Sequence, residues 1–428
     1  MGKSNGLFYG WVVVGISALV FAIIRGVNDA FGIFFAALLK EFGWSRAAVA
    51  GVFSCARLVE ATVSVTVGML SDRFGLRRVV PVSACVVALG LVLASRTQSL
   101  WMLYVAYGVV FAVGYCGLGD LSHVPVISRW FVKKRGMAIG LAMAGMGLGI
   151  LFIVPLAQAF VHHLGWRWAY VALAGVVMVG VVPPTLLWQR ERPEDMGLLP
   201  DGEHRDPAPV RRRAAGVRST SVQPADKEWT LRSVLRTPTI WILFVMRILT
   251  PLGMMMVVPH HFVYLIGQGF DEMVASFAFG SLGAFSFTGR ILFGWLSDRL
   301  GTVPTMILSY SLSIVGTLLL LSLHHPAQTL LLWGHIAVFG IGFGARGPIT
   351  SALVISLFQG RHGGAILGFL EIGSGIGGTI GPWLSGWLFD YTGSYTFPFR
   401  LSMIVLGLAI VCAWLAGRQW RADGIRVR

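Results

Sequence analysis

The stretch Gly68-Met69-Leu70-Ser71-Asp72-Arg73-Phe74-Gly75-Leu76-Arg77-Arg78 returns 226 positions later as Gly294-Trp295-Leu296-Ser297-Asp298-Arg299-Leu300-Gly301. Each copy follows an apolar run long enough to cross a bilayer, and another such run begins soon after it. A repeat at half the chain length means two similar halves, and internal repeats constrain architecture before any other signal. An offset of 226 to 228 brings Arg135 onto Arg361, Pro155 onto Pro382, and Gly145 and Gly149 onto Gly373 and Gly377.

The chain is 55% hydrophobic and 12% charged, whereas a soluble domain carries roughly 25% charged residues. A membrane helix needs about 20 apolar residues. Twelve runs meet that length or approach it: 9–37, 47–71, 79–95, 100–128, 136–162, 167–188, 238–266, 273–297, 303–323, 328–357, 363–389 and 396–417. They are continuous, not alternating, so helices are expected and a barrel is not. The expected fold is an all-α membrane protein of twelve transmembrane helices in two pseudo-symmetric six-helix bundles, 1–188 and 238–428. Residues 189–237, rich in Arg and Pro, form the expected solvated linker. The spaced glycines let helix backbones approach closely in lipid. A phosphate-binding loop would need a preceding strand, which is absent from these apolar runs. Cys55, Cys85, Cys116 and Cys412 all fall in the runs and read as packing residues. The first run is too long for a signal core and lacks a small-residue cleavage site, so it is expected to stay as helix 1.

The net charge of +15 suggests nucleic acid until its distribution is examined. With both termini cytoplasmic, five of the 34 Lys and Arg lie outside (Lys40, Arg46, Arg96, Arg167, Arg400), five lie within spans, and the other 24 are cytoplasmic. That is the positive-inside bias of a multi-pass plasma-membrane protein. It accounts for nearly all of the excess, so no nucleic-acid partner is expected. Arg211, Arg212 and Arg213 could touch anionic headgroups, or simply belong to a basic tether.

Between two membrane spans, the repeated motif resembles the cytoplasmic loop of major facilitator transporters. Further strings narrow the resemblance: Tyr9-Gly10-Trp11, Glu41-Phe42-Gly43-Trp44-Ser45-Arg46, Ser128-Arg129-Trp130-Phe131 with Arg135-Gly136, Gly165-Trp166-Arg167, Arg192-Pro193-Glu194-Asp195-Met196-Gly197, and Asp390-Tyr391-Thr392-Gly393-Ser394-Tyr395. Together they resemble the monocarboxylate-transporter family, in its bacterial branch with the oxalate/formate exchanger. The resemblance implies transport of a small carboxylate by proton symport or anion exchange, without a cofactor and as a monomer. It implies that Arg290, four residues before Gly294, binds the substrate carboxylate. It also assigns Gly68, Asp72, Arg73, Gly75, Arg77, Gly294, Asp298 and Arg299 to the conformational loops, with Asp72 capping a helix end and bridging the halves in one state. Two positions depart from animal members: a proton-relaying aspartate is replaced by Ser286, and a helix-1 lysine by Asp29.

Charges within spans are costly and mark cavities or partners. Arg25 with Asp29 and Arg57 with Glu60 are spaced to neutralise each other. Arg247 is expected to snorkel, and His335 to be a packed histidine. Asp120 overlays Arg346, and Glu60 overlays Ser286, at one offset of 226. The halves therefore present opposite charges at equivalent depths, where such folds place their site. Arg290 and Arg346 offer planar forks suited to carboxylates, with Ser286 and His260 as further contacts. Glu60, Asp120 and Glu371 are candidate proton carriers, with His123 one turn beyond Asp120. The spacing shows no metal ligands and no nucleophile–base pair, so an enzyme is not expected. Two other readings compete with anion transport: a proton-driven exporter of cationic or neutral drugs, which Asp29, Glu60 and Asp120 would suit, and a membrane sensor that binds solute without moving it.

Overall fold

A computed structural model describes residues 8–132, 134–202, 231–344 and 363–422. Arg346 and Arg361 lie outside the described residues, as do Arg211 to Arg213 and the side chains of Arg135, Asp72 and Asp298. The described residues are helical, without a strand.

The N-terminal half comprises α1 (Gly10–Phe42), α2 (Arg46–Phe74), α3 (Leu76–Ser95), α4 (Leu100–Trp130), α5 (135–164) and α6 (166–188). The C-terminal half comprises α7 (Pro238–Gly267), α8 (Glu272–Leu300), α9 (Thr302–Leu321), α10 (Thr329–Gly344 as far as described), α11 (Gly363–Thr392) and α12 (Thr396–Ala422). By length and hydropathy, several of these are membrane spans, and α5–α6 is long enough to cross twice. Gly165, at φ 78° and ψ 157°, breaks the continuous run and separates those two.

The halves repeat each other at the level of single torsions. Gly43 and Gly269, Gly75 and Gly301, and Gly165 and Gly393 are paired positions with positive φ. Gly75 (79°, 158°) and Gly301 (84°, 161°) share a conformation that only glycine adopts readily. It lets each long helix stop and the next begin within one residue. Helix starts are repeated too. Ser45 caps α2 by accepting from the Ala48 amide, and Asp271 caps α8 by accepting from the Met273 and Val274 amides.

The spaced glycines close the helix crossings. A Cβ on Gly145 or Gly149 would overlap the carbonyls of Ala18 or Ala22 on α1. In the other half, Gly373 and Gly377 face the carbonyls of Phe244 and Ile248 on α7. Backbone thus packs on backbone, the arrangement that gains dispersion where lipid removes the hydrophobic drive.

The seam between halves runs along α2 against α11 and α5 against α8. At its middle, Gly147 and Gly283 meet reciprocally: a Cβ on either would stand 2.7 or 2.5 Å from the other's carbonyl oxygen. The twofold counterpart sets Gly375 against the Ala61 methyl, at 3.5 Å.

The ends of the seam differ. At the end away from the loop motifs, the Asp390 carboxylate of α11 accepts from the Arg46 and Ala47 amides at 2.9 and 2.7 Å, capping α2 across the seam. Arg46 also donates to the Tyr395 hydroxyl at 2.9 Å, with its guanidinium over the Phe389 ring at 3.9 Å. Gln158 of α5 donates to Glu272 of α8 at 2.8 Å. Among the described residues, no hydrogen bond joins the halves nearer the motif end than the one from Arg290 to the Met143 carbonyl. There, Gly68 and Gly294 have open space where a Cβ would stand.

Candidate functional site

α1, α2 and α8 carry charge into the seam. On α1, Arg25 Nε donates to Asp29 Oδ2 at 2.7 Å, and Asn28 donates to Oδ1 at 3.1 Å. On α2, Arg57 donates to Glu60 at 2.8 Å. One helical turn of spacing makes each pair, as the sequence indicates. The four groups lie within electrostatic range of one another, with Tyr115 of α4 among them. Arg57 Nε, Glu60 Oε1 and Asn28 Oδ1 are buried with no protein partner.

Arg290 faces this cluster from α8, within electrostatic range of Arg25 and Asp29. It has no carboxylate partner among the described residues, and its hydrogen bond to the Met143 carbonyl is long, at 3.3 Å. Three arginines here meet two acids, which leaves one positive charge uncompensated at the junction of the halves. The spare fork can donate two parallel bonds to a carboxylate.

Seven residues from Arg290 along α8, or about two turns, the seam closes around a small void of about 20 Å³. Its walls are Asp29 of α1, Ile150 of α5, Val258 of α7, Phe279 of α8, and Phe339 and Phe343 of α10. Asp29 is the only charged group among the described lining residues. Such a void has room for about one water and is far below the size of a ligand site in this conformation. Sequence reading missed its aromatic wall, because an apolar helix gives every phenylalanine the same appearance.

Other candidates fall elsewhere. His260 is spent: its Nε2–H donates to the Pro382 carbonyl at 2.8 Å, and Nδ1 accepts from the Tyr395 hydroxyl at 3.0 Å. In this conformation both its nitrogens serve the closed end of the seam. Ser286 is buried, with its carbonyl against Gly344 of α10. His123 is buried and meets Ser17 of α1 at 3.0 Å, against the Phe21 ring; its Nε2 has no partner, so it shares no hydrogen bond with Asp120. Asp120 is exposed at the start of the last segment of α4, two residues from Ser122, whose hydroxyl meets Ser71 of the loop motif at 2.9 Å.

Glu371 of α11 pairs with Arg247 of α7. Arg247 therefore holds an ion pair in place of the snorkelling expected of it, because the two residues are 124 positions apart and only the helix crossing joins them. His335 likewise is more than packed. Its Nδ1–H donates to the Gly316 carbonyl at 2.7 Å, and its Nε2 accepts from His261 Nε2–H at 2.9 Å.

In the loop motif, Arg77 donates to the Leu186 carbonyl at 2.6 Å, at the end of α6. Glu191 returns the contact by accepting from the Arg77 amide at 3.3 Å. Arg73 lies over the Phe74 ring and Arg299 over the Trp295 ring, at 5.3 and 4.3 Å.

Residues 11–349 and 291–422 match the family model of the Major Facilitator Superfamily. The chain belongs to that superfamily: it is a multi-pass membrane transporter and not an enzyme. Its relatives include monocarboxylate transporter 13 of Bos taurus, 28% identical over 91% of this chain and 85% of that protein. The uncharacterized MFS-type transporter YcxA of Bacillus subtilis (strain 168) is 26% identical over 94% and 93%. Among solved structures, a bacterial homologue of the human lysosomal transporter Spinster, inward-facing and unoccupied, superposes with a TM-score of 0.72 at 16% identity, covering 99% of each chain. The monocarboxylate-like resemblance thus extends over nearly the whole length.

Proposed function

We propose that this protein moves a small organic anion, a mono- or dicarboxylate, by alternating access, with Arg290 as the carboxylate anchor. The observation that carries this reading is the Arg290 guanidinium, set in the seam without a carboxylate partner among the described residues. Arginine stays charged in a low-dielectric seam and offers a planar fork. The match to monocarboxylate transporters supports the same class of cargo.

The motif end, with Arg73, Arg77 and Arg78, is the cytoplasmic end by the positive-inside bias. Both termini then face the cytoplasm and the membrane is the bacterial inner membrane. The bridged end is extracellular, so this conformation faces inward. Residues 189–237 tether two rocking bundles, 1–188 and 238–428, within a monomer. Movement is by proton symport or by anion exchange. Glu60, whose Oε1 is buried without a partner, is the favoured proton carrier and Asp120 the alternative.

The test is counterflow of labelled carboxylates in proteoliposomes with wild type and Arg290→Lys. Lysine keeps the charge but not the fork, so counterflow should fall at least tenfold. Wild-type counterflow by Arg290→Lys would remove the anchor. Inhibition by cations, and not by carboxylates, would remove the anion.

A further inference from the structure

At the bridged end of the seam, the Gln158–Glu272 hydrogen bond borders a pocket of about 490 Å³ that both halves line. The N-terminal half contributes His162 and His163 of α5, and the C-terminal half contributes Asp271 and Glu272 at the start of α8. The two imidazoles are exposed, with ring centroids 4.8 Å apart, and neither has a hydrogen bond or ion pair among the described residues. Asp271 caps α8, and Glu272 accepts from Gln158, which is buried in the seam. No lysine or arginine is among the described lining residues. Nearby on the N-terminal half, Arg167 is already paired with Glu41 at 2.6 Å. The α9–α10 loop, which approaches Gly269 through Pro326, carries His324 and His325, but these lie on the same half as the carboxylates. The pocket therefore sets two titratable bases on one half against two carboxylates on the other, with no fixed cation between them.

We propose that this pocket is a regulatory proton site, in which protonated His162 and His163 draw Asp271 and Glu272 across the seam and hold this end shut. Imidazole is the side chain that gains its charge between pH 8 and 5, where carboxylates stay ionised. The attraction exists only while the halves are together, so the closed state holds these protons more tightly than the open one. By linkage, closure is favoured as pH falls. Each exposed pair of this kind shifts the balance about two- to fivefold, and salt weakens it. With the orientation proposed above, the pocket senses the outer medium, and acid there retains the carrier in its inward-facing form. This holds whether or not the cargo is an anion.

The experiment is pulsed electron paramagnetic resonance on the full chain in nanodiscs at pH 7.5 and 5.5. Spin labels go at Gln98→Cys and Leu330→Cys, exposed at this end of opposite halves, in a background without the four native cysteines. They are read in the otherwise wild-type chain and in Asp390→Ala, which lacks the carboxylate that caps α2 across the seam and so loosens this end. The ratio of short to long distances should rise at least about threefold at pH 5.5, and raised salt should shrink that rise. His162→Gln/His163→Gln should abolish it. Glu272→Gln, which still offers Gln158 an amide oxygen, should reduce it. His162→Lys/His163→Lys should favour the closed end at both pH values. Distributions that ignore pH in both backgrounds, or that open at pH 5.5, overturn the inference. So does an unchanged rise in His162→Gln/His163→Gln, which would place the sensing group elsewhere.

Discussion

Asp390→Ala is expected to release the end of the seam that is closed here. The carboxylate accepts from two consecutive amides, at 2.9 and 2.7 Å, at the first turn of a helix in the other half. Those amides have no partner within their own helix. A capping acceptor contributes about 0.5–2 kcal/mol, and a negative charge at a helix N-terminus about 0.3–1 kcal/mol. Asp390 is exposed, so screening places the sum toward the lower end, about 1.5 kcal/mol. The bonds cannot survive separation of α2 from α11, so the loss acts only on the closed state. An equilibrium shift of about tenfold toward opening at this end follows. Asp390→Asn retains one acceptor oxygen and should give about half the free-energy change. Pulsed electron paramagnetic resonance can read it, with spin labels at Gln98→Cys and Gln328→Cys, both exposed at this end of opposite halves. The background would lack the four native cysteines. A distance distribution unchanged in Asp390→Ala would show that the cap exerts no control over the conformational equilibrium.

Two further outcomes are expected. Gly149→Ala and Gly377→Ala each drive a methyl into a backbone carbonyl that cannot yield, and should lower stability by about 1–3 kcal/mol; thermal unfolding in detergent checks this against Gly140→Ala, where the space is open. His335→Leu leaves the His261 Nε2–H unpaired beside an Nδ1 that already lacks a partner, a loss of about 1–3 kcal/mol. The double variant His261→Phe/His335→Leu should recover much of it, and full additivity of the two single losses would show that the rings do not act as a pair.

Much of this molecule is readable from local pattern. The loop motif and its echo mark the two halves, and the apolar runs fall within about five residues of the described helices wherever both ends are described. Arg25–Asp29 and Arg57–Glu60 are readable because a helix fixes the distance between residues three or four apart. Arg247–Glu371 and His261–His335 are not, since their partners meet only after helices cross. His260 looks like any histidine in a span, and nothing in sequence announces that Tyr395 and Pro382 occupy both its nitrogens. The aromatic void escapes for a related reason: Phe279 and Phe339 belong to different helices, and their facing each other is a property of the bundle.

The meeting of Gly147 with Gly283 has a kinetic consequence. Side chains that interlock at a pivot must leave their rotamers before the pivot can turn, and that step carries an enthalpy. Two glycines have no rotamers to leave, so one backbone rolls on the other as a smooth bearing. Conformational exchange should therefore have a shallow temperature dependence at this contact, and the rate of turnover should be governed by bonds at the two rims of the seam. A single isoleucine at Gly283 would convert the bearing into a ratchet: its branched side chain would have to jump past the α5 backbone on each cycle, and the Arrhenius slope of transport would steepen even where the folded state tolerates the change.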